Sequence, residues 1–323
     1  MTAGRSAGGP PRSQVLGVLV TFRRPQVLRT MLEALADQSR ALDRLYVVDN
    51  APSEESERVV REHADPRTPV CYLPSATNLG SIGGFGLGMR HAARDGEPDD
   101  WVLSLDDDDP PSTVDLVLEL ARFADATFER DPGTGAVGVV GARFDAGRAR
   151  SIRPGDDELH GAVPVDWLGQ GHFAMYRVGA IRRTGDYGDD LFFGHGELEY
   201  GLRMRSHGFG LYAHGEMWHA RRTEQGRLGL EVRPSRTLGE PSWRRYYRLR
   251  NLVWILRENG HSAAAARVIA VRGVAKPLAG LGGDRHAALS HLSMNARAAF
   301  DGWTGRLGPR QQPEVRLGPK PRG

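Results

Sequence analysis

Three short apolar stretches near the start of the chain, each closed by polar residues and separated by helix-patterned sequence, limit the fold more than any other feature. Val15-Leu-Gly-Val-Leu-Val20 is apolar without alternation, as a parallel strand covered on both faces is. Thr21-Phe22-Arg23-Arg24-Pro25 ends it. Pro25 suits the first position of a helix, and Val27, Leu28, Met31, Leu32 and Leu35 then recur on one helical face. Leu45-Tyr-Val-Val48 reads as a second strand ending at Asp49-Asn50, Ser53 to His63 as a helix, and Val70-Cys-Tyr-Leu73 as a third strand. Strand and helix in alternation predict an α/β fold: a mostly parallel central sheet, flanked by helices and built with right-handed crossovers. In such sheets ligands bind at the carboxyl ends of the strands.

The next strand carries the chemistry. Trp101-Val-Leu-Ser-Leu105 is short and apolar, and Asp106-Asp107-Asp108-Asp109-Pro110-Pro111 follows at its end. Carboxylates this close raise one another's pKa, so ionising them together requires shared positive charge. Alternate side chains of an extended chain point the same way, so Asp106 and Asp108 can aim at one point while Asp107 faces elsewhere. Hard divalent cations take carboxylate oxygens and keep sites for water and phosphate. The bland alternative is a solvated helix cap, since Ser112 with Asp115 has the spacing of a capping box. An EF-hand does not fit: counting from Asp106, Pro111 falls where Gly is needed and Val117 where Glu is needed.

Other segments leave alternatives open at this level. Asn78-Leu79-Gly80-Ser81-Ile82-Gly83-Gly84-Phe85-Gly86 opens a helix, either to bring backbone N–H groups to a phosphate or to pack small residues closely. It is neither a Walker A loop nor a dinucleotide fingerprint. Pro111 to Arg130 reads as a long helix, Ala136 to Ala142 as a strand, and Phe144 to Val165 as a surface loop or edge hairpin. Trp167 is either a core aromatic or a platform for a sugar ring. Leu191 to Arg203 is a Gly-rich turn leading into a helix whose first turn holds Glu197 and Glu199. Those carboxylates suit the helix dipole, and equally a general base facing a cleft. His219, in Met217-Trp218-His219, could complete a metal site with Asp106 and Asp108. Arg221 to Gly239 is polar and Gly-rich, like loops that close over ligands.

The chain has 323 residues, 40% of them hydrophobic and 26% charged, enough for one large domain or two small ones. Its positive charge is almost all arginine, Lys276 and Lys320 being the only lysines. Cys71 stands alone, which excludes an intrachain disulfide and suits a reducing, cytoplasmic compartment. No apolar run reaches 18 residues, so no spanning helix is expected. Ser242 to Glu258 and Ala263 to Leu281 read as basic helices with apolar faces, which either lie on an anionic membrane, predicting peripheral contact with the inner face of the cell membrane, or pack those faces on the domain. No nucleic-acid motif is present. Residues 1–14 and 308–323 read as disordered tails, 15–240 as the main domain and 241–307 as a helical segment.

Taken together, these residues resemble a known family. Val18-Leu-Val-Thr-Phe-Arg-Arg-Pro25, Val47-Val-Asp-Asn50, Asn78-Leu-Gly80 with Gly83-Gly84-Phe85, the Asp106-Asp107-Asp108 run, Glu197-x-Glu199 and Trp218-His219 occur in the order found in family 2 inverting glycosyltransferases of GT-A fold. Tyr200-Gly-Leu-Arg203 and Tyr246-Tyr-Arg-Leu-Arg-Asn251 bring the likeness closest to galactofuranosyltransferases and rhamnosyltransferases of cell-wall glycan synthesis. The resemblance covers residues 15 to 260. It implies a divalent metal, Mn²⁺ or Mg²⁺, on Asp106, Asp108 and His219. It implies donor contacts from Thr21, Phe22, Arg23, Asp49, Gly80, Gly83, Gly84, Asp106, Asp107 and Trp167. Catalysis falls to Glu197, with Glu199 beside it. The implied donor is a UDP- or dTDP-linked sugar, and the acceptor a glycan or polyprenyl-linked hydroxyl. Two departures stand out: Gly196 replaces the first of two acidic residues usual before this helix, and Gln170-Gly171 stands where galactan polymerases carry aromatics. A nucleotidyltransferase on a related sheet, which calls for a Gly-rich, Lys-containing loop after the first strand, and a non-catalytic sugar- or Ca²⁺-binding module are the competing readings.

Overall fold

The computed structural model describes residues 13–229, 241–279 and 285–311. The two expected tails lie mostly, and the expected closing loop in part, outside the described residues. The elements are β1 (Val15–Thr21), α1 (Pro25–Ala36), β2 (Arg44–Asp49), α2 (Glu54–His63), β3 (Val70–Pro74), α3 (Gly80–Asp95), β4 (Trp101–Asp106) and α4 (Leu116–Arg130). Then come β5 (Thr134–Gly138), β6 (Gly141–Asp145), β7 (Arg150–Ile152), β8 (Ala162–Pro164), β9 (Trp167–Leu168), β10 (His172–Arg177), α5 (Val178–Thr184), α6 (Gly196–Ser206), β11 (Gly210–His214) and α7 (Gly215–Glu224). The last are α8 (Ser242–Glu258), α9 (Ser262–Val268), a π-helix (Ile269–Ala275), α10 (Lys276–Ala279) and α11 (Arg285–Thr304).

The chain divides into two compact units. The first, residues 1–144, 151–189 and 196–233, holds an eight-stranded sheet in the order β3-β2-β1-β4-β10-β5-β11-β8. The pairs β2–β3, β1–β2, β1–β4 and β5–β11 are parallel. β10 enters antiparallel between β4 and β5, and β8 closes the edge antiparallel to β11. All seven residues of β1 are buried, which explains its unbroken apolar sequence. On α1 the predicted stripe lies inward, with Leu28, Met31, Leu32 and Leu35 buried. Ser53 caps α2, its side chain accepting from the Ser56 amide; Glu54, Glu55 and Glu57 fill the first turn and Arg61 and His63 the last, as the helix dipole favours.

Three local expectations change. α4 begins at Leu116 rather than Pro111, and no Ser112–Asp115 box forms. The Val117 amide instead donates to Gln38 Oε1, and Ser39 donates to Asp115, so a distant segment supplies the cap. The strand expected over 136–142 splits into β5 and β6, which belong to different sheets. Of the surface loop or edge hairpin expected over 144–165, the surface loop gives way to strand, β8 forming the edge of the main sheet.

The second unit comprises residues 145–150, 190–195 and 234–323. Its centre is α8, which buries Tyr246, Tyr247, Leu249, Arg250, Asn251, Leu252, Val253, Ile255 and Leu256. The expected helix over 263–281 is α9, the π-helix and α10 in succession. Among the described residues, no helix is long and apolar enough to cross a membrane.

Candidate active site

The acidic run lies at the carboxyl end of β4, beside the ends of β1 and β2. Asp106, Asp107 and Asp108 each bring one ligand oxygen within 4.8 Å of the others. Neighbouring strands set this up. Val20 pairs with Asp106 and Thr21 with Asp49, so all three strands stop at one level. On the other side β10 shifts register between His172 and Ala174, with Phe173 at φ 59°. Bulges of this kind re-aim side chains at a sheet's rim. Ser104 Oγ anchors this one by donating to the carbonyls of Gln170 (2.5 Å) and Ala174 (3.1 Å). Gly171 is required there, because a Cβ would fall 2.9 Å from Asp106 Cβ.

Each carboxylate has its own surroundings. Burial first, then the charges of Asp108 and Asp107, push Asp106 up to about 6. Asp107, only 3% exposed, is also raised by burial, against a 2.7 Å hydrogen bond from Thr21 Oγ1 and the charge of Arg24. Asp108 is open to solvent and accepts from Arg24 at 2.8 Å. Asp109 turns away from the triad. Burial opposes its ionisation, but hydrogen bonds from His172 Nδ1 (2.6 Å) and Arg221 Nη2 (2.7 Å and 2.8 Å) hold it below the usual carboxylate range. Concentrated negative charge bracketed by two arginines is the donor set that a divalent cation with a diphosphate fits.

The residues expected to bind a donor do not all converge. Thr21 touches the run. Arg23 does not: it adopts φ 56° and sits over the Phe22 ring at 5.1 Å. The turn it makes sends the next residue, Arg24, to Asp107 and Asp108, so Arg24 is the site residue that sequence reading missed by one position. Asp49 is fully buried, with Oδ2 accepting from Tyr72 Oη at 2.9 Å and Oδ1 from the Ala51 amide at 2.9 Å. Asn50 ties β2 to the glycine segment, donating to the Gly80 carbonyl at 2.9 Å.

The glycines divide by task. Gly80 takes φ 73° at the head of α3, its N–H bonded to Asn78 Oδ1. Gly83 is buried on α3. Gly84 and Gly88 let α3 approach β1: a Cβ on Gly84 would lie 2.8 Å from Val20 Cγ1, and one on Gly88 would overlap Val18. Close packing accounts for Gly84. Trp167 lies in β9 against α6, where a Cβ on Gly201 would fall 2.8 Å from its Cα, and its indole N–H is buried without a hydrogen-bond partner.

Glu197 is half-buried in the first turn of α6, next to Gly196, where a Cβ would fall 2.7 Å from Ile82 Cγ1 of α3. Its charge reaches the buried Tyr176 and Tyr187, whose hydroxyls bond each other at 2.7 Å. Burial first, and Glu197 among the lesser causes, hold both phenols above their ordinary range. Glu199 has a different occupation. It takes Arg203 at 2.7 Å and 3.0 Å, and Arg203 also donates to the carbonyls of Thr184 and Asp186. His219 is exposed on α7 and does not gather with the aspartates at the 4.8 Å spacing that unites them. What α7 sends to the run is Arg221, two residues on.

Residues 18–185 match the family described as Glycosyl transferase family 2. A galactofuranosyltransferase GlfT1 from Mycolicibacterium smegmatis is 41% identical over 110 residues, which is 34% of this chain and 35% of that protein. GlfT1 of Mycobacterium tuberculosis is 46% identical over 112 residues, or 36% of its length. The chain thus aligns with about a third of the curated relatives it matches. Among solved structures, a Pyrobaculum calidifontis mannosyltransferase in complex with GDP-Man and Mn²⁺ superposes with TM-score 0.51 at 18% identity, over 94% of this chain and 90% of that one. TarS residues 1–349 from S. aureus, in complex with UDP-GlcNAc, superpose with TM-score 0.55 at 11% identity, over 91% and 82%. At such identities the structural likeness carries the fold, which is GT-A.

Proposed function

The chain belongs to glycosyl transferase family 2, and on that premise we propose that it is a metal-dependent, inverting enzyme that moves a hexose from a nucleoside diphosphate to an acceptor hydroxyl. The convergence of Asp106, Asp107 and Asp108 on one point at the end of β4, bonded to Thr21 at the end of β1 and to Arg24 just before α1, carries the reading. Asp106 and Asp108 would hold Mn²⁺ or Mg²⁺, whose charge offsets that of the departing diphosphate. His219, on the helix that Arg221 ties to Asp109, is the candidate third ligand. Thr21 and Phe22 at the end of β1 are assigned to the nucleotide and Arg24 to the diphosphate, while Asp49, fully buried and bonded to Tyr72 and Ala51, supports the end of β2.

Glu197 acts as the base. As the acceptor oxygen bonds to the anomeric carbon, that carbon's bond to the diphosphate oxygen breaks on the opposite face, and the hydroxyl proton passes to a Glu197 carboxylate oxygen. One displacement inverts the centre. An ordinary carboxylate suffices, because the alcohol becomes acidic only as the new bond forms. Glu199 stays engaged with Arg203 and supports the helix.

The name of the galactofuranosyltransferase relatives supports a galactofuranose-like sugar, with a rhamnose-like one the alternative; the proposed donor is UDP- or dTDP-linked and the proposed acceptor a glycan or polyprenyl-linked hydroxyl. Peripheral membrane contact is proposed for the second unit. Val271, Val274, Leu278, Leu289, Phe300 and Trp303 are exposed there. Among the described residues beyond Ser262, Arg267, Arg272, Lys276, Arg297, Arg306 and Arg310 meet one carboxylate, the buried Asp301. Co-sedimentation with anionic but not neutral vesicles is expected; equal recovery from both removes this part. The main test is a screen of UDP- and dTDP-linked sugars with purified protein, reading nucleoside diphosphate release with and without Mn²⁺. Release from one donor class, abolished by chelation, is expected; full release after exhaustive chelation overturns the metal site.

A further inference from the structure

The Tyr246-Tyr-Arg-Leu-Arg-Asn251 signature has no part in the chemistry above, yet its last two residues are buried polar side chains with several hydrogen bonds each. Arg250 and Asn251 are both 0% exposed. Arg250 Nε donates to Asn251 Oδ1 at 2.8 Å, fixing the two together. Its Nη2 donates to the carbonyls of Asp190 (3.1 Å) and Leu191 (2.9 Å), and its Nη1 to that of Gly308 (2.7 Å). Asn251 Nδ2 donates to the carbonyls of Leu191 (3.0 Å), Phe193 (2.9 Å) and Gly194 (2.8 Å). Tyr247, on the same face of α8, packs on the Phe192 ring at 4.9 Å.

The segment so held is strained. Phe192 has φ 61°, Gly194 φ 76° and His195 φ 63°, so two side-chain-bearing residues occupy left-handed backbone within four positions. Such conformations persist only where surrounding bonds over-determine them. Here two adjacent side chains take up four consecutive-segment carbonyls. A buried guanidinium is costly, and this one directs its donors to main chain, which fixes path rather than charge. The chain then runs through His195 directly into Gly196 and Glu197, the first turn of α6.

We infer that Arg250 and Asn251 are positioning residues for the general base: by clamping 190–194 they set the backbone from which Glu197 is presented. The inference rests on the reading of Glu197 as the base. An error of about 1 Å in such a group costs on the order of 10²-fold in rate.

The test uses the full chain and the donor that the screen identifies. Asn251→Ala lowers kcat roughly 10- to 100-fold, while calorimetry shows Mn²⁺-dependent UDP binding unchanged and hydrogen exchange rises over residues 190–198. In a Glu197→Gln background the same substitution produces no further loss. Arg250→Lys, which keeps a donor to the carbonyls, falls between wild type and Asn251→Ala; it carries the test if Asn251→Ala does not fold. Faster exchange at 190–195 with unchanged kcat overturns the inference. So does a parallel loss of UDP binding, or a loss that multiplies with that of Glu197→Gln. Wild-type turnover in Glu197→Gln alone removes the base assignment instead, whatever Asn251→Ala does.

Discussion

Two glutamates two residues apart on α6 are proposed for different roles, Glu197 for proton transfer and Glu199 for holding the helix. Glu199 and Arg203, at i and i+4, form a shielded ion pair whose guanidinium also satisfies two carbonyls. Removing the Glu199 charge leaves a half-buried cation short of a partner. Glu199→Gln is therefore expected to cost about 1.5–3 kcal/mol in urea unfolding, with kcat per folded molecule retained. Glu197→Gln is expected to do the reverse, leaving the unfolding midpoint and UDP affinity near wild type and lowering kcat by roughly 10²–10⁴-fold. Exchanged phenotypes would reassign the base to Glu199. The spacing Glu197-x-Glu199 was legible in the sequence, but the division of labour was not. It depends on Arg203, whose guanidinium is fixed by the carbonyls of Thr184 and Asp186, contacts that no local sequence pattern announces. The same holds at the donor end. Arg23 and Arg24 are chemically identical in the sequence, and only the left-handed φ of Arg23 decides which one reaches the aspartates.

At the scale of elements, α3 presses on β1 through glycines whose missing Cβ atoms make the approach possible. Gly88→Ala places a methyl on Val18, a core residue in a fully buried strand with no room to shift. A loss of about 1–3 kcal/mol is expected, read as a lower denaturation midpoint, with Mn²⁺-dependent UDP affinity per folded molecule unchanged. Weakened UDP binding at full stability would instead return the glycine helix to the role of phosphate cradle. Elements set by local patterning were readable: β1 to β4, α1, α2 and the start of α3 follow from apolar runs, Pro25, Ser53 and Gly80. Elements set by remote partners were not. The break between β5 and β6 follows from β10 and β9 claiming them separately, and α4 starts late because Gln38 and Ser39 supply its cap.

On the scale of the molecule, the sequence placed the boundary near residue 240, yet residues 190–195 group with the C-terminal helices. Hydrogen bonds across 60 positions of sequence tie them there, and no periodicity announces such a tie. His195 carries the physical consequence. Burial first, then the positive charges of Arg248 and Arg272, push its imidazole down to about 4 from its ordinary 6.5. Above pH 6.5 the ring is neutral in the folded and unfolded chain alike, and its ionisation costs nothing. Between about 6.5 and 4 the unfolded chain binds a proton that the folded chain refuses, so stability falls as pH falls. The slope is at most about 1.4 kcal/mol per pH unit for this one group. Below about 4 both states are protonated and the loss is complete. His195→Asn keeps a residue that tolerates left-handed backbone and removes the titration. Urea midpoints measured every half unit from pH 7.5 to 4 should therefore converge, the wild type losing its margin over the variant as the solution acidifies. Parallel curves for the two proteins would show that His195 is protonated as easily in the folded chain as in the unfolded one.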